Sequence, residues 1–286
     1  MTTPTTGGPT VRRILVGAQL RRLREERGIT REDAGYVIRA SGSKISRLEL
    51  GRVSFKERDI ADLLKHYGVD DAAQVEALLT LARDANRPGW WHDYDDVLPN
   101  WFQTYVGLEE SASLIRTFEV QFIPGLLQTE DYARSVTMSG RPDLRPDEIE
   151  RRVGLRMKRQ NILDRPNPPK VWAVIDEAAL RRPIGGSKVM RAQLRYLLEL
   201  MERPHVTVQV MPFRFGGHAA EGGAFSILRF PEPDLPDVVY VEQLVSALYL
   251  DKREHIDRYA QAMDRMTVDS QPPDLSTETL RKLLER

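Results

Sequence analysis

Thr30–Gly51 reads TREDAGYVIRASGSKISRLELG, two short helices with clear punctuation. Thr30 caps the first, with Glu32 and Asp33 in the opening turn where the helix dipole favours negative charge, and this helix runs to about Arg39. Ser41 caps the second, Gly42–Leu50, which Gly51 stops. In that second helix Ile45 and Leu48, three apart, define a stripe to be buried, with Glu49 beside it. At 100° per residue, Ser43, Arg47 and Leu50 fall on the opposite face, flanked by Lys44 and Ser46. A rod anchored from beneath by two aliphatic side chains, with serines and an arginine outward, is what a major groove can receive.

The flanks supply further helices. Val11–Arg27 carries Ile14, Val16, Leu20 and Leu23 as one apolar stripe, and Gly28 stands where a left-handed C-cap belongs. Two more amphipathic helices are expected: Lys56–His66 after a Ser54 cap, then Asp71–Ala85. Asn86-Arg87-Pro88-Gly89 ends the series. Charge agrees with a nucleic-acid partner. Residues 11–66 hold 14 basic and 8 acidic side chains, a net of +6, whereas 90–286 hold 26 and 30, a net of −4, and the whole chain balances 42 against 42.

Thr30–Gly51 resembles the helix-turn-helix of lambda-repressor-like regulators. The points of likeness are Gly35 where the two helices meet, then Ile45 and Leu48, the ending Ser46-Arg47-Leu48-Glu49 before Gly51, and Leu20-Arg21-Arg22-Leu23-Arg24 in the preceding helix. Ala34 stands where the pattern usually has Leu, and Arg39 where many members place a turn glycine. On this reading Arg47 takes guanine bidentately. Ser43 and Ser46 approach bases or phosphates, and Arg31, Ser41, Gly42, Lys44 and Arg52 complete the DNA-binding set. The resemblance implies that Glu49 is structural, salt-bridged to Arg24.

The 286-residue length suggests two domains. The expected division is a disordered tail at 1–10, the DNA-binding domain at 11–86, a connector at 87–107 and a second domain at 108–286. The connector holds Trp90, Trp91, Tyr94, Trp101 and Phe102, in a chain with 4 Trp, so it should pack against something. Leu108, Glu109 and Ala112 followed by Ile115–Phe118 read as an amphipathic helix. Thr129 caps another helix, Pro146 opens a longer one to about Leu163, and Ser187–Met201, Lys252–Met266 and Leu280–Arg286 read as helices. Val171–Asp176, Val206–Val210, Ala224–Phe230, Val238–Glu242 and Ala247–Leu250 read as strands. Their short Gly- and Pro-rich connectors favour a mainly antiparallel sheet. The fold class expected is therefore an all-α five-helix head followed by an α+β domain.

The tryptophan connector, Phe122-Ile123-Pro124-Gly125-Leu126-Leu127-Gln128-Thr129, Arg151-Arg152, Lys158-Arg159-Gln160, Glu177-x-x-Leu180-Arg181-Arg182, Val208-Gln209-Val210-Met211-Pro212-Phe213 and Val239-Tyr240-Val241-Glu242 extend the likeness from about Gly17 to Asp269. They resemble a large actinobacterial family that joins such a helix-turn-helix to a domain of poorly defined function. That resemblance implies an antitoxin-like transcriptional regulator, often paired with a small protein encoded next door.

Zero cysteines exclude disulfides, thiolate metal sites and a cysteine nucleophile. The five histidines never fall at HxxxH or HxH spacing, and neither glycine pair makes a phosphate loop, so no cofactor and no metal are expected. His218 with Asp176, Glu177 and Glu242 could assemble an acid–base set, but the glycines around His218 more cheaply supply turns, and no enzyme is expected. The expected partners are double-stranded DNA, a second copy of the chain, and a ligand or small protein on the second domain. A protein acting mainly by sequestering that small partner is the alternative. Met1–Gly8 lacks the apolar core of a secretory signal, no apolar run reaches 18 residues, and a cytoplasmic, nucleoid-associated location is expected.

Overall fold

The computed structural model describes residues 9–231 and 235–285. The chain divides into two compact units, one through His92 and the other comprising 93–231 and 236–286. Met1–Gly8, most of the expected disordered tail, lie outside the described residues, and Pro9 and Thr10 already belong to the first helix.

Among the described residues the first unit holds five α-helices: α1 (Pro9–Glu26), α2 (Arg31–Val37), α3 (Gly42–Glu49), α4 (Glu57–His66) and α5 (Ala72–Ala85). Thr30 and Ser41 cap α2 and α3 through side-chain acceptors, as expected, and Asp71, expected as the first residue of its helix, caps α5 in the same way. Ser54 does not cap α4. Its N-cap is Lys56, which offers no side-chain acceptor, because the chain stays extended through Phe55 to bury that ring. The side-chain amide of Asn86 instead ties this stretch down, accepting from the Phe55 N–H at 2.9 Å and donating to the Phe55 carbonyl at 2.6 Å. Val16, Leu20, Ile45, Leu48, Ile60 and Leu64 form one core. Ile45 and Leu48 are 1% and 2% exposed, and each contributes about 1.5–3 kcal/mol by leaving water.

The second unit is α+β. Its helices are α6 (Asn100–Ser111), α7 (Glu130–Gly140), α8 (Pro146–Gln160), α9 (Glu177–Arg181), α10 (Gly186–Met201), α11 (Arg253–Asp269) and α12 (Pro273–Leu284). Its six strands are β1 (Leu114–Glu119), β2 (Lys170–Asp176), β3 (Val206–Met211), β4 (Phe225–Arg229), β5 (Val238–Glu242) and β6 (Ala247–Leu250), in sheet order β3-β2-β1-β4-β5-β6. The β1–β4, β4–β5 and β5–β6 pairs are antiparallel, so the sheet is mainly antiparallel, but β1–β2 and β2–β3 are parallel.

The parallel half corrects the expectation for Ile115–Phe118, which is strand and not helix. Helix α6 occupies part of the expected connector and ends at Ser111, where Ala112 turns extended. Apolar positions 108 and 112 therefore belong to a helix end and 115 and 118 to a strand. Their common helical spacing is a coincidence across a junction. The connector is also not loose: Arg151 of α8 pairs with Asp96, donates to the Asp93 carbonyl and lies over the Tyr94 ring. At the β3 edge the backbone is closed by α11–α12. Val210 accepts from the Gln271 N–H at 2.9 Å and donates to Ser276 Oγ at 3.0 Å. Among the described residues no helix is long and apolar enough to cross a membrane.

Candidate nucleic-acid interface

Two close backbone approaches set α3. A Cβ on Gly17 of α1 would stand 2.5 Å from the Glu49 carbonyl oxygen, so α1 and α3 touch backbone to backbone there. A Cβ on Gly35 would stand 2.6 Å from the Ala40 carbonyl oxygen, so the small residue serves the turn between α2 and α3. That turn is made by Arg39 at φ 52°, the position where the family pattern usually has glycine, and an L-residue held there is strained.

Glu49 is buried and binds two arginines. Arg24 grips it through Nε and, at 3.1 Å, through Nη2, while also donating to the Ile29 carbonyl at 2.8 Å. Arg31 Nε reaches the same carboxylate at 3.1 Å. The salt bridge implied for Glu49 is therefore present, and α1, α2 and α3 converge on one carboxylate. Arg31, expected at phosphates, is half-committed to this anchor. Lys44 is likewise held, its Nζ 3.1 Å from the buried Asp59 carboxylate. Ser41 Oγ accepts from the Lys44 N–H at 3.3 Å, and the Glu32 carboxylate lies over Gly42, where a Cβ would meet its Oε1 at 2.6 Å.

The outward face is open. Ser43 and Arg47 are exposed, Ser46 and Leu50 half-buried, and Ile45, Leu48 and Glu49 buried. Arg47 and Arg52 make no ion pair among the described residues, and neither do the exposed Arg39, Lys56 and Arg58. On α1, by contrast, Arg12 pairs with Asp84, Arg21 with Glu25, Arg22 with Glu26 and Arg24 with Glu49. Arg13 of α1, Arg27 just past it and Lys65 of α4 are likewise outside any ion pair among the described residues, so five of the unit's eight unpaired Lys and Arg side chains belong to α3, the turn before it and the segment after it up to Arg58. Sequence reasoning missed Arg39, Lys56 and Arg58 because pairing decides which cations are free. It also missed Tyr36, which is 87% exposed and lines a shallow cleft with Val37, Arg39, Ala40 and Ser41. Its signal was present: with Ala34, Gly35 and Ile38 inward, position 36 of α2 must point out.

The four residues considered for acid–base work in the second unit are separately engaged. Asp176 caps α9 by accepting from the Ala178 N–H at 2.7 Å, and Glu177 binds Arg181 and accepts from the Phe213 N–H at 2.9 Å. His218 Nδ1 accepts from the Ala220 N–H, its ring edge-on to Phe118 at 4.9 Å, and Glu242 accepts from the Tyr240 hydroxyl. No hydrogen bond joins any two of the four. Among the described residues no three His, Asp or Glu side chains gather as metal ligands.

Residues 15–78 match a helix-turn-helix domain family, and residues 102–282 match a family described as a domain of unknown function (DUF5753). No curated protein and no solved structure matches the chain. The helical first unit is accordingly a helix-turn-helix domain, whose kind points to a DNA-binding regulator, and the chain belongs to the family of the domain of unknown function DUF5753.

Proposed function

We propose that the protein is a sequence-specific DNA-binding transcriptional regulator that acts as a homodimer, and that its second unit joins the protomers and receives a signal. One observation carries the reading: α3 buries Ile45 and Leu48 and presents Ser43 and unpaired Arg47 outward, amid the unpaired cations Arg39, Arg52, Lys56 and Arg58. Arg47 reads a base edge. Ser43, Ser46 and Tyr36 reach bases or phosphates, and the remaining cations, with Arg31, Lys44, Ser41 and Gly42 at the helix entrance, set the register on the backbone. A single module of this size buries about 600–1,000 Å² on DNA, too little for tight specific binding alone, which supports two copies on a palindromic site.

Antitoxin-like pairing with a small neighbour-encoded protein, a place among actinobacterial regulators, and a cytoplasmic, nucleoid-associated location belong to the same reading. We assign no catalysis to the second unit, since Asp176 caps α9, Glu177 and His218 hold the Phe213 and Ala220 N–H groups, and Glu242 accepts from the Tyr240 hydroxyl, with no two of the four joined. The test is a gel shift on the DNA upstream of the protein's own reading frame, with wild type and Arg47→Ala. Equal affinity and equal sequence preference in the two would reject the reading. Sedimentation should show a dimer at micromolar concentration, and a monomer there would reject the homodimer.

A further inference from the structure

The two edges of the sheet end differently. At the β3 edge, Gln271 and Ser276 take up the Val210 backbone, so the chain seals that side with its own residues. β6 is the other edge, and among the described residues β5 is its one strand neighbour. The hairpin that joins them turns through Leu244 and Val245, with the Gln243 N–H donating to the Ser246 carbonyl at 2.9 Å. That bond makes Gln243 and Ser246 a hydrogen-bonded pair, and in an antiparallel ladder such pairs recur at every second residue. The register therefore makes Val241–Leu248 and Val239–Leu250 hydrogen-bonded pairs as well. Ala247 and Tyr249 fall between them, so their N–H and C=O groups point away from β5, toward the open side.

Among the described residues nothing takes up these four groups. The one contact of Tyr249 beyond its strand and ring neighbours is made by its hydroxyl, which donates to the Trp101 carbonyl, and its main chain stays free. Sheet edges are ordinarily blunted by a lysine, a proline, a bulge or a covering element. β6 reads Ala-Leu-Tyr-Leu and has neither charge nor proline. The whole stretch Gln243–Leu250 holds no charged side chain, in a chain of which 29% of residues are charged. It also shows apolar surface: Leu244 and Val245 are 96% and 81% exposed at the hairpin tip, and Leu248 is 47% exposed in the strand. Leu248 shares a face with Val241 and Leu250, which pack with Met263 and Met266 of α11.

We infer that β6 is the surface through which two copies of the chain join: it pairs antiparallel with β6 of a second copy about a two-fold axis at Leu248, and the two sheets become one. Bare ladder groups select a strand as the occupant, and their positions select the register. About that axis Ala247 faces Tyr249 of the other copy and Tyr249 faces its Ala247, so all four groups on each strand find partners. A slip of one residue would turn these groups toward residues already bonded to β5, and a slip of two carries one of the pair past the end of the opposing strand.

A second copy is the strand this edge fits. The hydrogen-bonding pattern is complementary to itself, and Gln243–Leu250 meets its own copy with no like charges opposed. Leu248 packs against Leu248 at the axis, which covers its exposed surface and carries the apolar layer beside α11 from one copy into the next. Two-fold pairing is also the symmetry that a palindromic DNA site requires. The inference deepens the proposed homodimer and rests on it, naming the surface by which the second unit joins the protomers.

The test uses the full chain, which has no cysteine, so a single introduced one reports on its own copy. Across the axis the two Cα atoms of residue 248 stand about 4.5 Å apart, within reach of a disulfide. Residue 244 comes level with residue 252 of the other copy, which sets its two copies roughly 25 Å apart. On oxidation Leu248→Cys should give a covalent dimer on a non-reducing gel, and Leu244→Cys should cross-link at least about tenfold more slowly. Sedimentation should show a wild-type dimer at micromolar concentration. Ala247→Pro deletes one outward N–H and spares the ladder to β5, and Leu248→Lys opposes two ammonium groups at the axis. Each should weaken the dimer about tenfold or more while circular dichroism stays that of wild type. Where Ala247→Pro misfolds, Leu248→Lys, at an exposed position, carries the test. A dimer that survives both substitutions, or a Leu244→Cys that cross-links as fast as Leu248→Cys, overturns the β6 interface and leaves the homodimer to another surface. A wild-type monomer overturns both and leaves the edge to a strand of another protein. None of these outcomes touches the helix-turn-helix reading, which stands or falls on Arg47 and DNA.

Discussion

Replacing Arg47 and Arg52 one at a time by alanine separates reading from gripping. Arg47 sits on the outward face of α3 with an unpaired guanidinium, and Arg52 lies just past the helix end, also unpaired. If Arg47 binds guanine bidentately, its loss costs about 1–3 kcal/mol at each half-site, or about 5- to 150-fold, and the cost falls on the cognate sequence alone. Arg39, Arg52, Lys56 and Arg58 are four exposed unpaired cations, so one head contacting a phosphate with each gives a log K versus log salt slope of about −3.6, and a dimer about −7. Arg52→Ala should flatten the dimer slope by about 1.8 and weaken cognate and scrambled duplexes alike. Fluorescence anisotropy with both duplexes over a KCl series measures both quantities. If Arg47→Ala weakens the two duplexes equally, or Arg52→Ala changes preference while leaving the slope alone, the division between base and phosphate contacts is refuted.

Removing the shared carboxylate with Glu49→Ala leaves buried Arg24 with only the exposed Glu25 at 3.3 Å and the Ile29 carbonyl, and the urea midpoint of the first unit should fall by the equivalent of about 3 kcal/mol. A change under about 1 kcal/mol would show that the three-helix anchor is dispensable. Gly17→Ala must open the α1–α3 contact, because its Cβ meets the Glu49 and Leu48 carbonyl oxygens, and a loss of about 1–3 kcal/mol by thermal melting is expected. Unchanged melting would contradict that close approach. Folded Glu119 keeps its proton to about 8 while the unfolded chain releases it near 4.5, so the unfolded state holds fewer protons between those values. Stability of the second unit should therefore decline as pH rises through that window, and Glu119→Gln should flatten the decline; a variant with the wild-type profile would place the titration elsewhere.

The first unit was legible because its information is local. Thr30, Ser41, Gly28 and Gly51 stand at helix ends whose geometry demands those residue types, and the Ile45/Leu48 stripe follows from helical period alone. The parallel half of the sheet was missed for two reasons. Taking Ile115–Phe118 as helix removes β1, one of the two parallel neighbours of β2; the other pair, β2–β3, is signalled by a helix lying between two strands, a strand–helix–strand order that the reading from short connectors overrode. Pairing of charges was out of reach. Lys44 with Asp59 and Arg31 with Glu49 join residues 15 and 18 positions apart, and only the fold shows that these cations are partly spent while Arg39, Lys56 and Arg58 are not.

Arg39 carries a further consequence. Its left-handed backbone would relax with glycine by about 1–2 kcal/mol, so the simplest stabilising change in the head also deletes an exposed positive charge at the mouth of the turn. Selection for thermal robustness and selection for grip on a polyanion therefore pull this codon in opposite directions. A directed-evolution experiment that rewards heat tolerance alone should find the glycine and, with it, a protein that survives better and holds its duplex less well.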